Sequence, residues 1–296
     1  MRIGVCGTGN MGSAITERLL EQGNQVSVWN RTWEKTKPLL ELGAAFATSP
    51  KALVTGCEIV ISMVIDDEAV LSVYQSDDGL LSADLHKKLI IEMSTILPET
   101  SKYVDNKVRL KGGRYIECPV GGSVQPALNG QLLGLVGGDQ DVVDEARAVL
   151  NQLCRRLDHV GNIGAGASMK LAVNLPLVVY WESVGEALAI AKHAGIDLSH
   201  AADILADTSG TIKVAPGRLP RIADIANGGT PEGVSFSIEG MAKDLKLMKE
   251  VANKHGISTP VTNAASSSYE QAISDGWAEY DGVLLAAWRV LESKNG

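Results

Sequence analysis

The stretch IGVCGTGNMG, residues 3–12, decides the fold class of this chain. It opens with a short apolar run that predicts a buried strand, and the GTGNMG that follows matches the pattern GxGxxG. In that position Gly7 permits a tight turn, Gly9 lets backbone amides approach a pyrophosphate, and Gly12 allows close helix–strand packing. The positive end of the following helix favours the same anion. The stretch therefore predicts a dinucleotide-binding loop, with an ordinary glycine turn as the alternative.

Strand and helix patterns alternate through the first half of the chain. Apolar runs predict strands over residues 3–6, 25–29, 58–64, 88–93, 114–117, 132–136 and 157–160. Helical patterns run from the glycine loop to residue 20 and over residues 33–42, 67–74, 99–107 and 142–153. Such alternation implies right-handed crossovers and an α/β fold with a doubly wound, largely parallel sheet of the Rossmann type.

The pattern changes at the glycine-rich segment 161–166, after which almost the whole chain is predicted to be helical. The predicted helices cover residues 167–194, 199–207, 237–255, 259–275 and 280–293. The first of them is unusually long, and Pro176 inside it is expected to kink it because proline lacks a backbone donor. We therefore predict a dinucleotide-binding domain at residues 1–163 and an all-α domain at residues 164–296, joined by the long helix.

Composition limits the functions that such a chain can have. The 296 residues carry 27 Lys and Arg against 35 Asp and Glu, a formal net charge of −8, which is unlike a nucleic-acid-binding protein. No apolar run reaches the length of a membrane helix, and the N-terminal residues do not form a signal peptide pattern. The four cysteines show no CxxC pairing and the five histidines no metal-ligand spacing. We therefore expect buried free thiols, a reducing cytoplasm and no metal.

The end of the second predicted strand indicates which dinucleotide binds. An NAD site would place Asp or Glu there to hold the ribose 2′-hydroxyl, whereas this chain has Asn30, Arg31 and Thr32. No carboxylate is present to repel a 2′-phosphate, while the Arg31 guanidinium and the Thr32 hydroxyl can donate hydrogen bonds to one. The pattern favours NADP(H) over NAD, and the alternative is that Arg31 is only a surface charge.

Two polar residues near the start of the long helix are candidates for proton transfer. Lys170 and Asn174 are four residues apart and therefore project from one helix face. An ammonium and an amide directed at one spot can protonate and orient the oxygen of a carbonyl that accepts a hydride. Small residues at 121–123, after a predicted strand, can likewise expose backbone amides to a carboxylate. Taken alone, the pair could be a solvated helix face and the loop an ordinary turn.

Six motifs in this order resemble the β-hydroxyacid dehydrogenase family, which includes 3-hydroxyisobutyrate dehydrogenases and glyoxylate/succinic semialdehyde reductases. They are GTGNMG at 7–12, NRT at 30–32, EMSTILP at 92–98, PVGGS at 119–123, GAGASMKLAVN at 164–174 and KDL at 243–245. The resemblance covers nearly the whole chain. It implies a Rossmann domain, a helical domain and a homodimer or homotetramer.

The resemblance also implies roles for particular residues. Lys170 corresponds to the catalytic lysine, and Asn174 to the asparagine that helps to position the substrate and the lysine. Gly121, Gly122 and Ser123 correspond to the loop that binds the substrate carboxylate. Many family members have serine where this chain has Gly121, so either Ser123 and backbone amides suffice or the substrate differs. The residues expected at the cofactor are Gly7, Gly9, Asn10, Met11, Gly12, Asn30, Arg31, Thr32, Met63, Val64, Thr95 and Lys243.

The sequence therefore predicts a cytoplasmic, NADP(H)-dependent oxidoreductase with Lys170 as general acid and base. Its substrate would be a small carboxylate-bearing β- or γ-hydroxy acid, interconverted with a semialdehyde or oxo acid, and no nucleic-acid or membrane partner is expected. One alternative is an imine reductase, although those enzymes typically have Asp or Tyr at the position of Lys170. Another is a non-catalytic NADP-binding scaffold, although relatives of that kind lack the lysine.

Overall fold

The computed structural model describes residues 1–292. The chain forms two compact units, Met1–Leu171 and Ala172–Gly296, the second of which is described as far as residue 292. The predicted domain boundary after residue 163 falls earlier in the chain than this division. The first turns of the long helix thus belong to the first unit.

A mostly parallel sheet forms the centre of the first unit. Its strands are β1 (Arg2–Cys6), β2 (Gln25–Trp29), β3 (Ala45–Phe46), β4 (Ile59–Ser62), β5 (Leu89–Glu92), β6 (Arg114–Glu117), β7 (Val120–Gly121), β8 (Leu132–Gly137) and β9 (Cys154–Gly161). The order across the sheet is β3-β2-β1-β4-β5-β6-β8-β7, with β9 paired to β8. All neighbours from β3 to β6 are parallel, β8 is antiparallel to β6 and β7, and β9 is parallel to β8. The predicted Rossmann-type sheet is confirmed.

Helices cover both faces of this sheet. They are α1 (Asn10–Glu21), α2 (Lys37–Glu41), α3 (Pro50–Gly56), α4 (Asp67–Gln75), α5 (Pro98–Leu110), α6 (Val124–Leu128), α7 (Gln140–Leu153) and the beginning of α8 (Ala165–His193). Local chemistry sets where two of them begin, since Asp66 accepts a hydrogen bond from the Ala69 amide at 2.7 Å and Ser49 from the Ala52 amide at 3.1 Å. The sequence analysis missed α3 and α6 because both are short.

The central strands are buried on both faces, which explains why their sequences are continuous apolar runs rather than alternating ones. On one face, Ile3 packs in a core with Ile15 of α1. On the other face, Val60 packs in a second core with Tyr74 of α4. These cores hold the carboxyl ends of the central strands, and the loops that follow them, in fixed positions.

The second unit is helical. After the remainder of α8 it contains α9 (Leu198–Ala206), α10 (Leu219–Ala226), α11 (Ile238–Lys254), α12 (Pro260–Ala272) and α13 (Leu285–Glu292). The helix α8 continues through Pro176 and ends at His193, after which Gly195 has φ +78° and its amide donates to the Lys192 carbonyl at 3.0 Å. No helix among the described residues is long and apolar enough to cross a membrane.

Two helix predictions in this unit need correction. The helix predicted over 259–275 ends at Ala272 and passes into a π-helical turn, because Gly276 adopts φ 88°. The helix predicted over 280–293 begins instead as a 3₁₀ turn at Gly282–Leu284, and its last predicted residue, Ser293, lies outside the described residues.

A buried ion pair connects three helices of the second unit. Glu182 of α8 accepts hydrogen bonds from Arg289 of α13, at 2.9 Å from Nε, and from the Ser268 hydroxyl of α12 at 2.8 Å. Arg289 thereby neutralises the charge of a carboxylate that would be costly to bury alone.

Candidate functional site

The glycine loop after β1 has the geometry that its sequence predicts. Gly7 adopts φ +97°, and a Cβ at this position would lie 2.3 Å from the Met63 carbonyl oxygen. A Cβ on Gly12 would lie 1.9 Å from the Gly7 carbonyl oxygen. Both positions therefore require glycine, Gly7 for its backbone conformation and its contact with the loop after β4, and Gly12 for the close approach of α1 to the loop.

The space beside Gly9 suits a bound pyrophosphate. A Cβ on Gly9 would meet no described atom within 4 Å, so nothing in the folded chain requires glycine there. Gly9 is the N-cap residue of α1, and the N-terminus of a helix favours an anion. A cavity of about 420 Å³ adjoins the loop, and its lining residues are Thr8, Gly9, Asn10, Ser13, Ala14, Glu17, Lys35, Val124 and Leu128. The chain therefore fits a dinucleotide at this loop.

The residues after β2 divide into a structural and an exposed group. The Asn30 side chain accepts a hydrogen bond from the Thr8 amide at 3.0 Å and donates to the Thr32 carbonyl at 2.8 Å. Asn30 thus holds the glycine loop against the turn after β2, a contact that its sequence position alone did not reveal. Arg31 and Thr32 are exposed, so their side chains can meet a ligand. Lys35, which the sequence analysis did not single out, joins the lining of the glycine-loop cavity.

A buried hydrogen-bond network supports the residues predicted to line the cofactor after β4 and β5. Met63 and Val64 follow β4, and the Val64 amide donates to the Ser94 hydroxyl at 2.8 Å. The Ser94 amide in turn donates to Glu92, at 2.9 Å. The Glu92 side chain also accepts from the Tyr74 hydroxyl, at 3.0 Å. The network therefore fixes the two loops against each other.

Burial governs the titration of this network. Glu92 has no exposed surface, and burial raises the pKa of its carboxyl, although hydrogen bonds from Ser94 and Tyr74 act in the opposite direction. Thr95 lies directly after the network and is half-buried. Of the predicted cofactor residues, Met63, Val64 and Thr95 are thus placed by contacts that the sequence did not show.

The predicted carboxylate loop follows β6. Gly121 ends β7, and a Cβ there would meet the Leu133 Cβ at 3.6 Å, an ordinary contact. Packing therefore does not require glycine at the position where many family members have serine. Ser123 precedes α6 as its N-cap residue but makes no side-chain capping bond, which leaves the hydroxyl for another acceptor. Gly122 between them is exposed.

The candidate proton donor lies in the first turns of α8. Lys170 is buried, with 8% of its surface exposed, and it belongs to the first unit together with the glycine loop and the carboxylate loop. An ammonium held away from bulk water in this way can act on a substrate oxygen without competition from solvent. Asn174, one turn further along α8, is buried to the same degree.

In the second unit, Asp244 has a role that could not be predicted from the sequence, where it appears only as the middle residue of the KDL motif at 243–245. In the structure Asp244 is buried, accepts a hydrogen bond from the Asn174 side chain at 2.8 Å and pairs with Lys243 at 2.9 Å. The apolar residues Met241, Leu245 and Met248 at helical spacing around it are the signal that places Asp244 on the buried side.

The four cysteines are buried, and the described part of the chain contains no group of side chains suited to a metal ion. All four cysteines are buried and free, as predicted. Burial raises the pKa of the Cys6 thiol far above its usual range, which makes it unreactive. Among the described residues, no group of three or more His, Cys, Asp or Glu side chains could hold a metal ion.

The Rossmann sheet, the glycine loop and the buried lysine define a class, that of the dinucleotide-dependent oxidoreductases. Comparison with known families narrows it. Residues 2–161 match the NAD binding domain of 6-phosphogluconate dehydrogenase, and residues 164–288 match the family described as NAD-binding of NADP-dependent 3-hydroxyisobutyrate dehydrogenase. The chain belongs to the β-hydroxyacid dehydrogenase family.

Individual relatives agree with this assignment. Glyoxylate/succinic semialdehyde reductase 1 of Arabidopsis thaliana is 34% identical over 95% of this chain and 96% of its own length. NAD-dependent L-serine dehydrogenase of Pseudomonas aeruginosa is 31% identical over 95% of each chain. The solved structure of Mycobacterium tuberculosis 3-hydroxyisobutyrate dehydrogenase with L-serine is 27% identical, has a TM-score of 0.82, and the match covers 96% of this chain and 97% of that one. The chain is therefore an NAD(P)-dependent oxidoreductase of the hydroxyacid dehydrogenase and semialdehyde reductase type.

Proposed function

We propose that this protein is an NADPH-dependent reductase of small carboxylate-bearing semialdehydes or oxo acids, which it converts reversibly to β- or γ-hydroxy acids. The observation that carries the proposal is the buried Lys170 within the same compact unit as the glycine loop and the loop at 121–123. The similarity to a glyoxylate/succinic semialdehyde reductase over nearly the whole chain supports the substrate class.

Bound NADPH would supply the hydride for the carbonyl carbon of the substrate. The role of Lys170 is to donate a proton to the carbonyl oxygen, so that no free alkoxide forms as the hydride arrives. In the reverse direction the same amine accepts the proton of the hydroxyl. Asn174, whose side chain donates a hydrogen bond to Asp244, keeps the role that the family resemblance implies, which is to help position the substrate and the lysine.

The loop after β7 is proposed to bind the substrate carboxylate. Its proposed donors are the backbone amide of Gly122 and the hydroxyl of Ser123, which makes no capping bond to α6, whereas Gly121 pairs with Leu133 of β8. Because Gly121 supplies no hydroxyl, the substrate carboxylate would depend on Ser123 for a hydrogen bond from a side chain. We expect the protein to work as a homodimer or homotetramer in the cytoplasm.

NADP(H) is the proposed cofactor. Arg31 and Thr32 are exposed after β2, where a dinucleotide ribose would lie, and Lys35 adds a second cation beside the glycine loop. Neither Asp nor Glu stands at residues 30–32 to bind a free 2′-hydroxyl. An NAD-dependent relative exists in the same family, so this choice rests on the local charges of this chain.

The test is a substrate panel with both reduced cofactors. Consumption of NADPH and NADH is measured with glyoxylate, succinic semialdehyde, tartronate semialdehyde, methylmalonate semialdehyde and a cyclic imine. We expect turnover of one or more of the acids with NADPH, and a fall of about 10²–10⁴ in kcat for Lys170→Ala. Lys246→Ala, an exposed lysine, serves as the matched control. Turnover of the imine alone, or near-full activity of Lys170→Ala, would overturn the proposal.

A further inference from the structure

Glu117 is a buried carboxylate with an unusual set of donors. It is the last residue of β6, and 1% of its surface is exposed. Its Oε1 accepts hydrogen bonds from the backbone amides of Gly164 and Gly166, both at 2.7 Å. These amides belong to the turn and the first residues of α8, whose backbone donors have no partner within the helix.

The surrounding backbone leaves room for this carboxylate. A Cβ on Gly166 would lie 3.1 Å from the Glu117 Oε1 and 2.6 Å from the Leu135 carbonyl oxygen. A Cβ on Gly137, in the neighbouring β8, would lie 2.4 Å from the same Oε1. Larger residues at either glycine would push the carboxylate away from the helix, so the contact depends on small residues on both sides of it.

The contact has an energetic cost that a neutral side chain would avoid. Burial raises the pKa of the Glu117 carboxyl, and the hydrogen bonds from Ser101 and from the amides of Gly166 and Gly164 act against that rise. A carboxylate accepts stronger hydrogen bonds from backbone amides than a neutral group does. Glu117 therefore holds the start of α8 to the end of β6 by strong hydrogen bonds, although the buried carboxylate loses solvation free energy.

The attachment joins the two segments that would hold the substrate. Lys170 follows Gly166 by four residues, which is about one turn of α8. The carboxylate loop at 121–123 begins four residues after Glu117, at the end of β7, which pairs with β8 in the same register as β6 does. All of these residues lie in the first unit.

We propose that Glu117 is a positioning residue that fixes the first turn of α8, and with it Lys170, relative to the carboxylate loop. This inference rests on the proposed function. Glu117 would not touch the reacting atoms. It would act through the helix, because a displacement of the ammonium by about 1 Å can lower a rate by as much as about 100-fold.

The central experiment is a double-mutant cycle between Glu117 and Lys170. The rates of carbonyl reduction of wild type, Glu117→Ala, Lys170→Ala and the double variant are measured at saturating NADPH and high enzyme concentration. We expect Glu117→Ala to lower kcat by about tenfold to 100-fold while the Kd for NADPH is unchanged. In the Lys170→Ala background the same change should have little further effect, because the group that it positions is gone.

Two further variants separate positioning from stability. Glu117→Gln keeps an oxygen that can accept both amides, so it should restore most of the kcat lost in Glu117→Ala. Ser49→Ala removes the side-chain cap of α3 and is expected to lower the Tm of the protein without changing kcat. Equal losses in both Lys170 backgrounds, or a Ser49→Ala kcat as low as that of Glu117→Ala, would overturn the inference.

Amide hydrogen exchange tests the attachment without any assay of activity. In Glu117→Ala we expect faster exchange of the Gly164 and Gly166 amides and of the first turn of α8, with unchanged exchange in α1. Unchanged exchange at Gly164 and Gly166 would refute the attachment. A wild-type protein that turns over none of the panel substrates would instead refute the proposed function, and the exchange result would still decide the structural role of Glu117.

Discussion

An added methyl group should lower the stability of the protein at one glycine of the GxGxxG loop and its affinity for NADPH at another. Gly9→Ala and Gly12→Ala each add one Cβ to the GxGxxG loop. At Gly12 that atom would lie 1.9 Å from the Gly7 carbonyl oxygen, whereas real Cβ contacts stay beyond 3.0 Å. The loop or α1 must therefore move by about 1 Å, an overpacking that costs about 1–3 kcal/mol.

At Gly9 the same methyl group enters open space. Alanine is a poorer N-cap residue than glycine, but it also reduces the freedom of the unfolded chain, so the free energy of unfolding should stay within about 0.5 kcal/mol of wild type. The methyl group occupies the space proposed for the pyrophosphate. Loss of a charge-assisted hydrogen bond from a backbone amide, about 1.5–3 kcal/mol, corresponds to an increase in the Kd for NADPH of about tenfold to 100-fold.

Thermal unfolding without cofactor and fluorescence titration with NADPH separate the two effects. For a unit of this size, about 1–3 kcal/mol lowers Tm by about 2–12 °C in Gly12→Ala. Gly9→Ala should keep the wild-type Tm and lose NADPH affinity. If Gly9→Ala binds NADPH as tightly as wild type, the space beside Gly9 does not hold the pyrophosphate. A wild-type Tm in Gly12→Ala would contradict the close approach of α1 to the loop.

Two further substitutions test the cofactor choice and the buried network behind it. Arg31→Ala should raise the KM for NADPH by about tenfold or more, because one charge-assisted contact to the 2′-phosphate is lost, and should leave the KM for NADH nearly unchanged. Steady-state kinetics with each cofactor measure both KM values. An equal rise in the two KM values would exclude a contact between Arg31 and the 2′-phosphate. Glu92→Gln removes a carboxyl whose pKa burial raises above its ordinary value of 4.5. Between pH 4.5 and the raised pKa, folded wild type binds a proton at Glu92 that the unfolded chain has lost. The free energy of unfolding of wild type, relative to that of Glu92→Gln, should therefore fall as the pH rises above about 4.5 and become constant above the raised pKa. Urea unfolding of both proteins from pH 4 to pH 8 measures this difference in free energy, and a difference that does not change with pH would contradict the raised pKa.

The sheet and the glycine loop could be predicted because their signals are local. A parallel strand buried on both faces has to be a continuous apolar run, the turn after β1 needs glycine at residue 7, and the close approach of α1 to that turn needs glycine at residue 12. The positions of Lys170 and Asn174 on one helix face also follow from spacing alone. Short elements such as α3 and α6 escaped prediction, because a helix of five to seven residues spans fewer than two turns, too few for a repeating apolar pattern to be recognised.

The contacts that organise the site could not be predicted, since they join residues far apart in the chain. The sequence assigned no contact to Asp244, yet it accepts a hydrogen bond from Asn174, which is 70 residues away. Asn30 was predicted to lie at the cofactor, which stays a prediction, and the structure adds that its side chain bridges Thr8 and Thr32. A one-dimensional pattern shows which face of a helix is apolar, but not which polar group from another element meets it.

By itself the sequence determined the fold class, the dinucleotide loop, the family and the candidate lysine. Each of these depends on residue types at short, fixed spacings, which local backbone geometry makes necessary. Only the tertiary structure showed that Glu117 accepts hydrogen bonds from the amides at the start of α8. It also showed that Glu92, through Ser94, connects the loops after β4 and β5. A buried carboxylate needs hydrogen-bond donors, and residues that are distant in sequence can supply them only after the whole unit has packed. Neighbours in the sequence therefore do not show which donors it has.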